Sequence, residues 1–327
     1  MYRSILVPLD GSPFAEQAVA VALTIAETSQ AKVTLVRAWD PANYRYTSEL
    51  TPPFLDPAAH DKLLAIEYLD DLASQLRATT TVTIDVTVAA GPAVDAIKEC
   101  VTRSGADLVV MTTHGLTGLS RAWIGSVADA LVRAVPVPVL LCRPLDRPSA
   151  TPPGRFPCVL IPLDGSPEAE QILEHAAGIV GDSQVRFILL RVARPLSAPL
   201  HPQTVVPPDW EVDQAATEEI VTHARNYLQA KAEWLATRCP HATVDVDVRL
   251  AARAGAAIVD VATDYHANLV ALTTHARRGI RLVLGSVADK VLRGTHGSVL
   301  VLRPTAVETR EPQSEELLAG RMSGIVF

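Results

Sequence analysis

The sequence predicts an α/β protein built from two tandem, doubly wound, five-stranded parallel-sheet domains. Three observations carry that expectation. The chain has 327 residues, about twice the roughly 150 of an ordinary domain. It repeats itself at the scale of a whole domain. Within each repeat, short apolar β-branched runs alternate with longer helical ones, the pattern of a parallel sheet covered by helices on both faces.

The repeat is literal in places. Pro8-Leu9-Asp10-Gly11-Ser12-Pro13 returns as Pro162-Leu163-Asp164-Gly165-Ser166-Pro167, and Ala15-Glu16-Gln17 as Ala169-Glu170-Gln171, both at an offset of 154. Thr112-Thr113-His114 matches Thr273-Thr274-His275, and Gly125 to Asp129 matches Gly285 to Asp289. A period of this size is a duplication of a domain rather than a solenoid repeat. The boundaries that follow are 1–146 for the first domain, 147–156 for a Pro-, Ser- and Gly-containing linker, 157–304 for the second domain and 305–327 for a loosely held tail.

In the first copy strands are expected at 4–8, 33–38, 82–89, 108–112 and 137–142, with helices near 12–29, 57–77, 92–104 and 126–134. In the second copy strands fall near 158–162, 185–192, 243–250, 268–273 and 298–302. Ser12-Pro13 and Ser166-Pro167 each offer an N-cap hydroxyl followed by proline at the first helical position. Segments 40–56 and 194–208 are the longest loops, read either as binding lids or as surface excursions.

Composition excludes several classes. A formal net charge of -7 with 20% charged residues leaves no broad basic surface for nucleic acid. The longest uninterrupted apolar run, 134–142, is far short of the roughly 18 residues that span a bilayer and holds two prolines. The start Met1-Tyr2-Arg3-Ser4 lacks the regions of a signal peptide, so a cytoplasmic protein is expected. Cys100, Cys142, Cys158 and Cys239 show no ligand or disulfide spacing, and no metal site is expected. Only five lysines stand against 24 arginines, and none follows a glycine, which excludes a Walker A loop.

Ligands of open parallel sheets collect outside the carboxyl ends of the strands. Asp10 and Asp164 stand there, either as acceptors for a ligand amine or hydroxyl or as turn formers before glycine. Gly115 and Gly118 follow the fourth strand and allow backbone amides to approach an anion. Gly125-Ser126 opens a helix whose free amides and dipole favour negative charge without any lysine. Together these segments describe a nucleotide cradle. His114 and His275 recur but have no recurring partner, which favours a loop-ordering or phosphate-contacting role over a general base.

These segments resemble the universal stress protein family in its tandem form, over nearly all of residues 1–144 and 157–304. Members that bind ATP carry Gly-x2-Gly-x9-Gly-Ser/Thr. The first copy keeps Gly115, Gly125 and Ser126 at that spacing, with Thr112 at the first glycine. The second has Thr273 and Ala276 at the glycines and only eight residues before Gly285. The resemblance implies the adenine nucleotide alpha-hydrolase-like fold with strand order 3-2-1-4-5, and packing of the copies through their last strands about a pseudo-twofold axis.

For the first copy it implies nucleotide contacts from Pro8, Leu9, Asp10, Ala38, Thr112, His114, Gly115, Gly118, Gly125, Ser126 and Val127, with Ala38 meeting adenine through backbone groups. A weaker second site would use Pro162, Asp164, Val192, Thr273, His275, Gly285, Ser286 and Val287. The function expected is binding of ATP, with Mg²⁺, by a stress-response module that is non-enzymatic or at most hydrolyses ATP slowly and that self-associates through its edge strands or as a homodimer of tandem chains. The rival expectations are a nucleotide-independent scaffold and a nucleotide hydrolase. The hydrolase lacks its dedicated phosphate loop, because Pro13 removes an amide where such a loop needs one.

Overall fold

The computed structural model describes residues 1–44, 57–113, 124–143, 152–194, 214–274 and 284–305. The first half runs β1 (Ser4–Pro8), α1 (Pro13–Ser29), β2 (Lys32–Trp39), α2 (Pro57–Arg77), β3 (Ile84–Ala90), α3 (Ala93–Ser104), β4 (Leu108–Thr112), α4 (Ser126–Ala134) and β5 (Val139–Cys142). The second runs β6 (Cys158–Pro162), α5 (Pro167–Glu170), α6 (Ile172–Val180), β7 (Arg186–Ala193), α7 (Gln214–Arg238), β8 (Thr243–Leu250), α8 (Ala254–Asp264), β9 (Leu269–Thr273), α9 (Ser286–Gly294) and β10 (Ser298–Leu302).

Ser12 and Ser166 act as the N-caps the sequence promised, each Oγ accepting from the backbone N–H three residues on at 3.1 Å. Helix α1 therefore begins at Pro13, one residue later than expected. Two strands also start late. Before β3, the Val82 N–H donates to Thr80 Oγ1 at 3.2 Å and is lost to the ladder. Before β5, Pro138 has no N–H to donate, although its carbonyl accepts from Val109 at 3.0 Å.

Each half has the expected strand order, and the two are joined in one ten-stranded sheet, β3-β2-β1-β4-β5-β10-β9-β6-β7-β8. All pairings are parallel except the central one, where β5 and β10 run antiparallel with Leu141 opposite Val299, Leu140 opposite Leu300 and Val139 opposite Val301. This register is symmetric about the Leu140–Leu300 pair, as a duplicated edge requires. The outer strands β3 and β8 are flanked by ion pairs, Lys32–Asp85 at 3.7 Å and Arg186–Asp245 at 2.7 Å; charge at a sheet edge discourages pairing with another chain.

Both faces of the sheet carry a core that runs through the two halves. One is packed by α1, α2, α5, α6 and α7, and includes Ile5, Ile25, Leu69, Leu140, Phe187, Leu228 and Leu300. The other is packed by α3, α4, α8 and α9, and includes Leu6, Ile97, Leu131, Leu141, Ile258, Val291 and Val299. Across the junction a hydrogen bond joins Tyr2 Oη and His175 Nδ1 at 3.2 Å, with the rings stacked. The described end of the linker is fitted to α1, since Thr24 Oγ1 donates to Pro153 O at 2.8 Å. Thr305 is held by Gln171, and the remainder of the expected tail lies outside the described residues. Among the described residues, no helix is long and apolar enough to cross a membrane.

Leu140 and Leu300 are fully buried at the seam. Leu140→Ala or Leu300→Ala should each cost about 2–5 kcal/mol, the usual range for a buried leucine truncation. A lowered urea midpoint measures this, and because the pair is in contact the double variant should lose less than the sum. A midpoint unchanged by either would contradict the pairing.

All four cysteines are free and buried. Burial pushes the Cys142 thiol up to about 12. The folded state thus keeps a proton that the unfolded chain releases near its ordinary value of 9.0, so the stability involved is complete below that pH and lost between about 9 and 12. Ellman's reagent at pH 8 should therefore find no thiol in the native protein and four after denaturation.

Candidate functional site

The carboxyl edge of each half is shaped first by its Asp-Gly turn. Beyond β1, Leu9 keeps contact with β2 by donating its N–H to Val36 O at 2.8 Å, and Leu163 does the same to Leu190 O at 2.8 Å. The chain then reverses. Asp10 Oδ1 accepts from the Ser12 N–H at 2.9 Å, and Asp164 Oδ1 from the Ser166 N–H at 2.9 Å. Gly11 and Gly165 sit at φ +84° and +85°, a region glycine enters without strain. The turn-forming role of the aspartates is thus real at one oxygen, and it fixes each carboxylate at the end of its strand.

The other wall is the start of α4 or α9. Unlike α1 and α5, these helices have no side-chain cap: Gly125 and Gly285 are the N-caps. Gly125 donates its N–H to Thr113 O at 2.7 Å, and a Cβ on it would meet the same carbonyl at 3.2 Å. Close backbone approach explains this glycine, whose φ of -58° is ordinary. The first-turn amides beginning at Ser126 and Ser286 have no partner within their helices, and with the helix dipole they favour an anion.

In the second half these walls enclose a cavity of about 740 Å³, the size of a cofactor pocket. Of the eight residues predicted for this site, Pro162, Asp164, Val192, Thr273, Gly285, Ser286 and Val287 line it. His275 lies outside the described residues. Leu163, Leu190, Ile258, Leu272 and Leu284 give the cavity an apolar floor, while Asp164, Thr273, Ser286 and Asp289 give it a polar rim. Such a lining suits a ligand with a flat apolar ring and a hydroxylated part, with the α9 amides as the place for an anion. The first half holds Pro8, Leu9, Asp10, Ala38, Thr112, Gly125, Ser126 and Val127 on the equivalent elements, with β1 paired to both β2 and β4. His114, Gly115 and Gly118 lie outside the described residues. Among the described residues, no group of three His, Cys, Asp or Glu side chains is placed to hold a metal.

A cluster under each Asp-Gly turn escaped the sequence reading. Arg37 lies beneath Gly11, where a Cβ would be 3.2 Å from its Nη1, and Arg191 beneath Gly165, at 2.9 Å. Arg191 Nη1 also donates to Leu163 O at 3.3 Å. The guanidinium carbons stand 5.3 Å from the Tyr68 ring centre and 5.9 Å from that of Tyr227. Tyr68 donates its hydroxyl to Glu16 at 2.9 Å, and Tyr227 to Glu170 at 3.0 Å. Burial, then the bond to Glu16, raises the Tyr68 pKa; burial, then the charge of Glu170, raises that of Tyr227. Both phenols stay protonated and keep donating. The signal was available, since Glu16/Glu170 and Arg37/Arg191 share the offset of 154, but the tyrosines recur at 159.

Gly165→Ala combines left-handed strain with a Cβ at 2.9 Å from Arg191. We expect a loss of about 1–3 kcal/mol, read as a lower urea midpoint, and faster hydrogen exchange at the Ser166 amide. A substitution without effect on either would mean that the turn does not depend on the left-handed backbone at this position.

The comparisons with known proteins agree in kind. The sequence profile of the universal stress protein family matches residues 1–143 and 156–303. A universal stress protein of Thermus aquaticus, described by its place in a sulfhydrylase 3' region, is 32% identical over 144 residues, covering 44% of this chain and all of its own length. A putative universal stress protein of Staphylococcus epidermidis is 28% identical over 148 residues, covering 45% of this chain and 87% of its own. Two solved structures match nearly the whole chain in fold. One, from Archaeoglobus fulgidus, has a TM-score of 0.63 at 18% identity and covers 92% of this chain and 98% of its own. The other, from Pseudomonas aeruginosa, has a TM-score of 0.62 at 19% identity, covering 93% and 94%. Two profile matches in series, together spanning most of the chain, establish that the protein belongs to the universal stress protein family, with two copies of the family domain.

Proposed function

We propose that the protein binds an adenine nucleotide, ATP with Mg²⁺, and acts in the cytoplasm as a nucleotide-dependent regulatory module of a stress response, without catalysing a reaction of its own. The observation that carries this reading is the convergence, at one sheet edge, of an Asp-bearing turn, an apolar floor and an uncapped helix start, around a cavity of about 740 Å³. An adenine ring suits the floor, the aspartate suits a ribose hydroxyl, and the helix amides suit phosphates. His114 and His275 lack a recurring acid or nucleophile, so binding rather than turnover is the reading.

The first half is taken as the tighter site, because Gly115, Gly125 and Ser126 keep the spacing of ATP-binding members. The cavity of the second half gives room for a weaker one. Self-association through the last strands occurs between the halves of one chain, which makes each chain its own dimer-like unit.

ATP at a hundred times its dissociation constant should stabilise the protein by about 2.7 kcal/mol, seen as an upward shift of the melting temperature with Mg²⁺ present. Equilibrium dialysis should show one tight and one weak nucleotide per chain, with no phosphate released, and Asp10→Ala should remove the tight one. Absence of any shift or bound nucleotide at millimolar ATP would reject the reading in favour of a nucleotide-independent scaffold.

A further inference from the structure

The cavity of the second half contains a residue its own half does not supply. Arg133 belongs to α4 of the first half, yet it forms part of the wall with Asp164, Ser286 and Asp289. Topology explains the intrusion. Helix α4 returns antiparallel to β5, and β5 is antiparallel to β10, so α4 runs in the direction of β10 and its last turn reaches the carboxyl edge of the second half. Arg303, immediately beyond β10, anchors that turn by donating to the carbonyl of Arg133 at 2.9 Å. The Arg133 side chain is 33% exposed and is oriented from one turn back by an ion pair with Asp129, Nη2 donating to Oδ1 at 2.6 Å and also to Oδ2.

Charge gives the placement a purpose. Among the described residues lining the cavity, the charged side chains are two carboxylates, Asp164 and Asp289, and one cation, Arg133. Asp289 is paired with Arg293 of its own half at 2.9 Å, and a polyanionic ligand would still meet the Asp164 carboxylate in the cavity wall. The first-turn amides of α9 offset part of that repulsion, and the Arg133 guanidinium, held by Asp129 through Nη2, brings N–H donors in a planar geometry suited to phosphate.

We propose that Arg133 is a ligand contributed in trans by the first half, contacting the phosphate tail of a nucleotide bound in the cavity of the second. The inference rests on the nucleotide reading above and adds to it a residue that tells phosphorylated from unphosphorylated ligand. It also makes α4 common to both sites, since the helix opens at Ser126 beside the first and carries Arg133 in its last turn beside the second, about 10 Å apart at 1.5 Å per residue.

The test is photolabelling of the full chain with 8-azido-ATP and with 8-azidoadenosine, with labelled peptides assigned to each half by mass spectrometry. In Arg133→Gln, the 8-azido-ATP concentration for half-maximal labelling of the second half should rise about tenfold, the loss of one charge-assisted contact. Labelling by 8-azidoadenosine should stay within twofold, and Arg133→Lys should recover most of the affinity for the triphosphate. The carbonyl that Arg303 holds is retained in both variants. If Arg133→Gln leaves triphosphate labelling intact, or weakens both probes equally, the trans contact is wrong while the nucleotide reading stands. If neither probe labels the second half of the wild-type protein, the nucleotide reading of that cavity falls, and the trans contact with it.

Discussion

The antiparallel pairing of β5 with β10 is the contact on which the rest of the molecule depends. Within each half these are the last strands laid down, apolar on both faces and unpaired along one side until they meet. Left open, each would be a template for another chain. Paired, they close three residue matches around Leu140 and Leu300, and they let the core on each face of the sheet continue from one half into the other. Arginines lock both ends of the seam: Arg143, just past β5, donates to Leu292 O at 2.6 Å, and Arg303 donates to Arg133 O at 2.9 Å.

The same pairing decides where the candidate sites lie. Parallel strands gather ligands at their carboxyl ends, and joining two parallel sheets antiparallel sends those ends in opposite directions. The last turn of α4 then falls beside the opening of the second half, and the last turn of α9, held by Arg143, beside that of the first. The seam that covers two open edges thus places a side chain of one copy against the cavity of the other. Duplication within one chain has a further consequence, since the two helices are free to differ where a homodimer would require them to be identical.

Much of this was legible from residues alone. The repeat of Pro-Leu-Asp-Gly-Ser-Pro located both Asp-Gly turns and both capped helix starts, because a β-strand end, a glycine at positive φ and an N-cap followed by proline each demand particular residue types. Gly285-Ser286 was legible as a helix start, and Thr273 entered the expected site through the family resemblance; all three line the cavity of the second half. Strand starts were less so: Val82 looks like strand and is drawn off by Thr80, a side-chain hydrogen bond no periodicity reveals. The Arg191–Tyr227–Glu170 cluster and Arg133 were not legible, since the first assembles three elements distant in sequence, and the second depends on the direction of α4 relative to β10, which only the register of the seam defines.

The most direct test of this account is differential scanning calorimetry of the intact chain with and without ATP and Mg²⁺. If the seam makes the halves one cooperative body, a single transition is expected, with calorimetric and van't Hoff enthalpies equal, and nucleotide should move that transition upward as a whole. Two resolved transitions, with ATP shifting one and leaving the other in place, would contradict the fusion of the two halves and the sharing of residues between their sites.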